Sequence, residues 1–375
     1  MKNNRNVIMF HSVGSNHSQW KSRYLSIDVE QFEVFCEYLR SKNYKTGFLD
    51  RWYYLEDHPE EKTGKELFLT FDDGYLDNLL VAYPIMKKYD IKGTIFVNPE
   101  FVDPSEGIRT LNNHPSTLGF LNWDEICWLD KSGVFDIQSH SMSHNFYFCT
   151  DKVKGIHKGD DEYHWLAWIS KPERKSFWQE EDQGGFTPLG TPVFEWYRAL
   201  GLRRYFPDDR LVKLSIEEYT KNGDEKQLMS KITEWQKEYP GRYETDEEMT
   251  QRYHYELYDS KRILEEKLEK KIDFLCWPGG GYNELSLKMA INAGYKASTI
   301  ASREGKKIVN NKNVAYKRIV RMGMDSTIRK GGYLRPQRVV QTNFKHHLVW
   351  LFKTEERHPV YRFFTRANNF IMRFL

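Results

Sequence analysis

Short apolar runs recur along the chain, and most end abruptly at a polar or glycine-rich cluster. Val7-Ile8-Met9-Phe10 reads as a buried strand ending at His11, and residues 67–71 as a second running into Asp72-Asp73-Gly74. Gly93-Thr94-Ile95-Phe96-Val97 follows, then residues 135–138 ending at Ser139-His140. Residues 272–277 end at Pro278-Gly279-Gly280-Gly281, and Ala297-Ser298-Thr299-Ile300 is a further short strand. Between these runs the apolar period changes to three and four. Residues 28–39 carry Phe32, Phe35, Cys36 and Leu39 on one helical face, and residues 78–89 and 123–132 are also expected helices. Another helix is announced by the capping box Thr245-Asp246-Glu247-Glu248 and continued by Met249, Tyr253, Leu257, Leu264 and Leu268. Strand–helix alternation of this kind predicts an α/β fold built on parallel strands.

The alternation breaks from 155 to 243, a stretch rich in Trp, Tyr and charge and punctuated by Gly184-Gly185, Thr187-Pro188, Thr191-Pro192 and Pro240-Gly241. The expected organisation is a barrel in two parts, 1–154 and 244–335, an inserted subdomain at 155–243, and a tail from 336 to 375. Trp165, Trp168, Trp178 and Trp196, with Arg198, Arg203 and Arg204, give the insertion two readings: the core of an extra subdomain, or a lid over the cleft with stacking aromatics and with arginines meeting a carboxylate or phosphate.

Composition narrows the class. The chain has 375 residues, 39% hydrophobic and 29% charged, which excludes a disordered chain and an integral membrane bundle. A net charge of +3 disfavours a nucleic-acid partner. The charge is uneven: residues 343–375 contribute +4 and hold eight aromatics. Past Pro359, the apolar side Phe363, Phe364, Phe370 and Phe374 opposes Arg362, Arg366 and Arg373, the pattern of an amphipathic helix on an anionic membrane surface. A helix packed on the barrel or on a second subunit explains the same pattern. Four cysteines without a CxxC pair point to reduced thiols, and the opening apolar run is too short for a signal segment. The expectation is action on the cytoplasmic side, peripheral to the membrane.

Polar residues fall directly after the strands, where parallel α/β folds assemble their sites. His140 and His144 are four apart, so on one helical turn both imidazoles would face the same way as a metal-ligand pair. With one carboxylate they make a His₂-carboxylate set with open positions for water and substrate.

The run Thr70-Phe71-Asp72-Asp73-Gly74-Tyr75, followed by His140-Ser141-Met142-Ser143-His144, resembles the first two motifs of the polysaccharide deacetylase (NodB-homology) family. The resemblance extends through residues 274–279 and 293–297. The opening Phe10-His11 looks like the circularly permuted branch that acts on exopolysaccharide amino sugars. It implies a distorted (β/α) barrel, with an inserted subdomain and a helical tail in this chain, and a hydrolase removing N-acetyl groups from an amino-sugar glycan. It further implies that Asp73, His140 and His144 hold one divalent metal, with zinc expected first and Co, Ni, Mn or Fe compatible. Asp72 would then be the general base, His11 the general acid, and the Tyr75 backbone N–H an oxyanion donor. Pro278, Gly279 and Gly280 would make room for the sugar ring, and Ser141 and Ser143 would orient the ligands. One departure matters: the family's third motif usually carries an Arg bracing the catalytic Asp, and Cys276 stands there, with Arg318 and Arg321 as substitutes. Rival readings are a deformylase or other amide hydrolase on the same metal site, and a membrane-associated scaffold with a dead site.

Overall fold

The computed structural model describes residues 6–15, 25–159, 162–300 and 316–323, with the backbone of the strands Thr327–Lys330 and Tyr333–Pro336. One sheet takes the strands in the order Val7–Phe10, Lys317–Gly323, Ala297–Ile300, Phe274–Leu275, Phe135–Ser139, Gly93–Val97, Lys65–Phe71, Tyr44–Gly47. Val7–Phe10 also pairs with Lys65–Phe71, placing Phe10 opposite Phe71 and closing seven strands into a parallel barrel. Both faces of such strands are covered, which is why they read as continuous apolar runs rather than alternating ones. In Lys65–Phe71 only Lys65 is exposed.

The described residues divide into two compact units, each with its own core. The first is drawn from the described residues within 1–97 and 102–138 and from those after 296. Helix Val29–Ser41 buries Phe32, Phe35, Cys36 and Leu39 as its period requires. Phe10 stacks on Phe71 at 5.3 Å and meets Phe32 edge-on at 5.4 Å, while Phe135 meets Phe71 edge-on at 5.4 Å. Burying each of these rings is worth roughly 1.5–3 kcal/mol, so this cluster anchors the strand that ends at Asp72.

The expected helix at 78–89 is a π-turn, Asn78–Ala82, followed by the α-helix Tyr83–Lys88. Pro84 explains the change. It has no N–H for the carbonyl of Leu80, and its ring would crowd that turn, so a wider turn precedes it.

The second unit comprises 98–101 and 139–296. Its strand Phe146–Ile156 pairs antiparallel with Pro192–Arg198, so the expected boundary at 154/155 falls inside a strand and the added structure begins earlier. Helices Asp209–Asn222 and Glu225–Glu238 cover this pair, with Ile156, Phe194, Tyr205, Leu211, Leu228 and Ile232 as the core. Of the two readings of the insertion, the structure supports the core for its tryptophans. Trp165 and Trp168 are 3% and 4% exposed, and Trp168 meets Trp178 at 5.0 Å, as Trp165 meets Trp196 at 5.8 Å. Their rings contact one another, leaving no stacking face for sugar on Trp165 or Trp168.

The strand expected at 272–277 contracts to Phe274–Leu275, because Trp277 already leads into the turn Pro278–Gly280. The tail residues Arg362, Phe363, Phe364, Arg366, Phe370, Arg373 and Phe374 lie outside the described residues. Among the described residues, no helix is long and apolar enough to cross a membrane.

Candidate active site

The strand Lys65–Phe71 delivers Asp72 with its backbone N–H donating to the Phe10 carbonyl at 3.0 Å. The chain then turns left-handed at Asp73 (φ 75°) and Gly74 (φ 72°). Aspartate tolerates that region better than most residues, and glycine adopts it freely. The Gly74 carbonyl accepts from Leu121 N–H at 2.9 Å and the Gly119 carbonyl from Leu76 N–H at 2.9 Å, fixing the turn. Tyr75 is 1% exposed and stacks on Phe120 at 5.0 Å, so its ring is core and only its backbone remains a candidate donor.

Asp72 is held by a two-pronged ion pair. Arg321 donates from one guanidinium nitrogen to Oδ1 at 2.5 Å and from another to Oδ2 at 2.8 Å. Its side chain is 9% exposed and that of Asp72 5%, so the pair is largely desolvated. Arg318, by contrast, donates to Ser298 Oγ at 2.7 Å. The two arginines are three apart on one strand, an odd spacing that sends their side chains to opposite faces. Arg321 therefore supplies the brace for which Arg318 and Arg321 were equal candidates.

His11 Nε2 lies 3.8 Å from Asp72 Oδ2, beyond hydrogen-bond reach but close enough for charge coupling. Its backbone carbonyl accepts from Asn78 Nδ2 at 2.9 Å. Below it sits a group that sequence reasoning missed. Asp77 is fully buried and accepts from Ser12 Oγ and, at 2.6 Å, from Ser15 Oγ. Burial pushes its carboxyl up to about 7, against the opposing pull of its hydroxyl and backbone donors. Asp77 and Asn78 thus hold both ends of the His11–Ser15 segment.

His140 and His144 do not share a helical turn. They lie in an irregular loop after the strand Phe135–Ser139, with Ser141 (φ 61°) and His144 (φ 53°) left-handed. The loop still brings their rings to 5.2 Å at an interplanar angle of 70°. His140 Nδ1 is 2.8 Å from the Cys276 carbonyl, which assigns the proton to Nδ1 and presents Nε2 as the lone-pair donor. Cys276 therefore acts through its backbone. Ser143 Oγ donates to Glu256, while Ser141 Oγ is buried with no hydrogen-bond partner among the described residues.

The glycines after Pro278 serve another purpose than the one expected. A Cβ on Gly279 would lie 1.9 Å from Arg198 Nε, and one on Gly281 2.5 Å from Arg198 Cβ. The room at Gly279 and Gly281 is filled by Arg198, and only Gly280 faces open space. Arg198 also lies over Phe146 at 5.4 Å, and with His144, Glu256 and Pro278 it lines a narrow crevice.

One ligand atom each from Asp73, His140 and His144 lie within 4.8 Å of one another, a group able to hold a metal ion. Asp72, His140 and Cys276 meet the same spacing, but both Asp72 oxygens are engaged by Arg321. Two imidazoles and a carboxylate suit a borderline-soft divalent ion, and the fixed tautomer of His140 fits a ligand role.

Residues 60–175 match the sequence profile of the family described as polysaccharide deacetylase. A Bacillus subtilis (strain 168) protein provisionally named a polysaccharide deacetylase, YxkH, is 33% identical over 91 residues, covering 24% of this chain. The match spans 30% of that relative. Among solved structures, a de-N-acetylase from Aggregatibacter actinomycetemcomitans superposes with a TM-score of 0.51 at 17% identity, over 90% of this chain and 98% of that one. The BpsB deacetylase domain from Bordetella bronchiseptica gives 0.51 at 16% identity, over 85% and 94%. These two share the barrel fold. Residues 60–175, which carry both the Asp72-Asp73 and the His140–His144 motifs, are thus similar to the polysaccharide deacetylase family.

Proposed function

We propose that the protein is a metal-dependent hydrolase removing an N-acetyl group from an amino sugar of a bacterial surface polysaccharide, a lipopolysaccharide or its lipid-linked precursor. The observation that carries this is the pairing of an Asp73, His140 and His144 donor set with an Arg321-braced Asp72. Those three residues would hold one divalent ion, zinc first. When bound, such an ion polarises an amide carbonyl and lowers the pKa of water to near neutrality.

The remaining chemistry belongs to the chain. Asp72 takes the proton of the attacking water, using lone pairs that the two Arg321 bonds leave available. Arg321 fixes the plane of that carboxylate. His11, next to Asp72, gives a proton to the departing sugar nitrogen, since an amine leaves poorly unless protonated. Asp77 and Asn78 hold His11 at this position.

The basic, aromatic pattern of 343–375 supports a peripheral station on an anionic membrane surface, at the cytoplasmic face, where a lipid-linked glycan would be met. Sedimentation with anionic vesicles tests this part: the charge-reversed variant Arg362→Glu/Arg366→Glu/Arg373→Glu should stay in the supernatant while the wild type pellets. Equal sedimentation of both would remove the tail from the account.

The catalytic reading is tested by incubating the zinc-loaded protein with N-acetylated glucosamine oligomers and with a bacterial glycolipid extract. Loss of acetyl from the glycan, seen by mass with matching acetate release, is expected. Loss of formyl instead would reassign the acyl group, and an unchanged glycan pool would refute the deacetylase.

A further inference from the structure

The loop that carries His140 and His144 takes its shape from residues far along the chain. Ser141 and His144 are left-handed without being glycine, a conformation that lasts only where the surroundings over-determine it. Glu256, 1% exposed, does much of this. Its Oε2 accepts the backbone N–H groups of Met142 and Ser143, both at 3.1 Å, and its Oε1 accepts Ser143 Oγ. From the other side comes Lys175, whose side chain is 0% exposed. Its ammonium donates to the Ser143 carbonyl at 3.1 Å and to Glu100, which also accepts from Tyr255 Oη at 2.7 Å. Asn98 Nδ2 completes the frame by donating to the His140 carbonyl.

Each of these groups pins the backbone next to an imidazole, and none is part of the donor set itself. Lys175 lies inside the inserted stretch, in the 3₁₀ segment Pro172–Phe177, and nothing there reads as a motif. A lysine kept fully from water is costly unless paired, and this one spends its charge on the carbonyl beside His144 and on Glu100.

We propose that Lys175 and Glu256 form a buried ammonium–carboxylate clasp that holds Ser141 to His144 in the metal-binding conformation. The inserted segment is on this view a working part of the metal centre, and both residues are positioning residues. The proposal rests on the metal-dependent reading above and adds to it where metal affinity comes from.

The test is zinc affinity of the full chain, measured by competition with a chromophoric chelator, for wild type, Lys175→Met and Glu256→Gln. Each variant should weaken zinc binding by about 10- to 100-fold, with unchanged far-ultraviolet dichroism. Turnover should be recovered at saturating zinc, which a merely structural defect would not allow. Lys158→Met, at an exposed pair with Glu225, should bind zinc as the wild type does. If either clasp variant fails to fold, Ser143→Ala, which removes one donor to Glu256, should still weaken zinc by a few-fold. Affinities within twofold of wild type across the clasp variants that fold would overturn the clasp while leaving the deacetylase reading intact. A wild-type protein that binds no zinc would instead overturn the reading, and the clasp with it.

Discussion

Two turns follow barrel strands and carry the residues proposed to act, and they are held in different ways. Residues 72–77 turn left-handed at Asp73 and Gly74, residue types that accept that backbone readily. Their supports, Arg321, Ser12, Ser15 and Asn78, reach charged or amide groups at a strand end. Residues 139–144 turn left-handed at Ser141 and His144, with a less obliging residue in Ser141, and lean on Glu256, Lys175 and Asn98. The first turn stores its geometry largely in its own residue types. Distant partners touch both, Arg321 being 249 positions from Asp72 and Glu256 114 from Met142, but the second turn needs them to keep a backbone that Ser141 does not favour. Substitutions in the two should accordingly fail differently, the first in catalysis and the second in metal retention.

The largest effect is expected where the two turns serve one function. On the proposed reading, His144→Ala should lower deacetylation by at least about 10³-fold, because one of the three proposed metal ligands is lost. Near-normal acetate release from this variant would detach the loop from the reaction altogether.

Next comes the brace of the first turn. Arg321→Gln should cost about 10²-fold or more in kcat, since breaking a desolvated ion pair strands the Asp72 charge. Zinc affinity should stay within a few-fold of wild type, the reverse of the signature expected for the clasp. A variant that loses zinc but keeps kcat would erase the contrast between the turns.

A smaller effect is expected at Gly279→Ala, where the added methyl must displace Arg198 and occupy a left-handed backbone. Urea unfolding should show a loss of about 1–3 kcal/mol. An unchanged midpoint would mean that Arg198 moves aside at no cost.

The gentlest probe is Asp77. Its folded pKa, about 7, lies above the ordinary carboxyl value of 3.8. The unfolded chain therefore ionises first as pH rises, and stability contributed by the protonated form is fully present below about 4 and falls away through about 7. Asp77→Asn should flatten this decline in a series of urea titrations. An unaltered slope would show that the hydroxyls of Ser12 and Ser15 keep the carboxylate ionised in the fold.

The same contrast explains what could be read from sequence. Strand ends were legible because the runs stop at chemistry: Phe10 at His11, Phe71 at Asp72, and residues 135–138 at Ser139-His140. Spacing alone suggested a helical turn for His140 and His144, and it failed because local periodicity does not see the strain imposed by distant partners. Glu256 did leave a trace, as an acid on the buried face that includes Tyr253, Leu257, Ser260 and Leu264. A carboxylate at a core position signals a partner without naming it. Lys175 left none, since Pro172-Glu173-Arg174-Lys175 looks like any solvated run. Arg321 was separable from Arg318 only once strand register fixed which of the two faces Asp72.

Metal-dependent removal of an acetyl group through Asp73, His140 and His144, as proposed, is tested by stripping and restoring the metal. Acetate release from an N-acetylated glucosamine oligomer would be followed before treatment with a chelator, after it, and after adding zinc. Activity should be lost on stripping and recovered with one equivalent of zinc in the wild type, with no recovery in Asp73→Ala. Acetate release that continues undiminished after complete metal removal would contradict it.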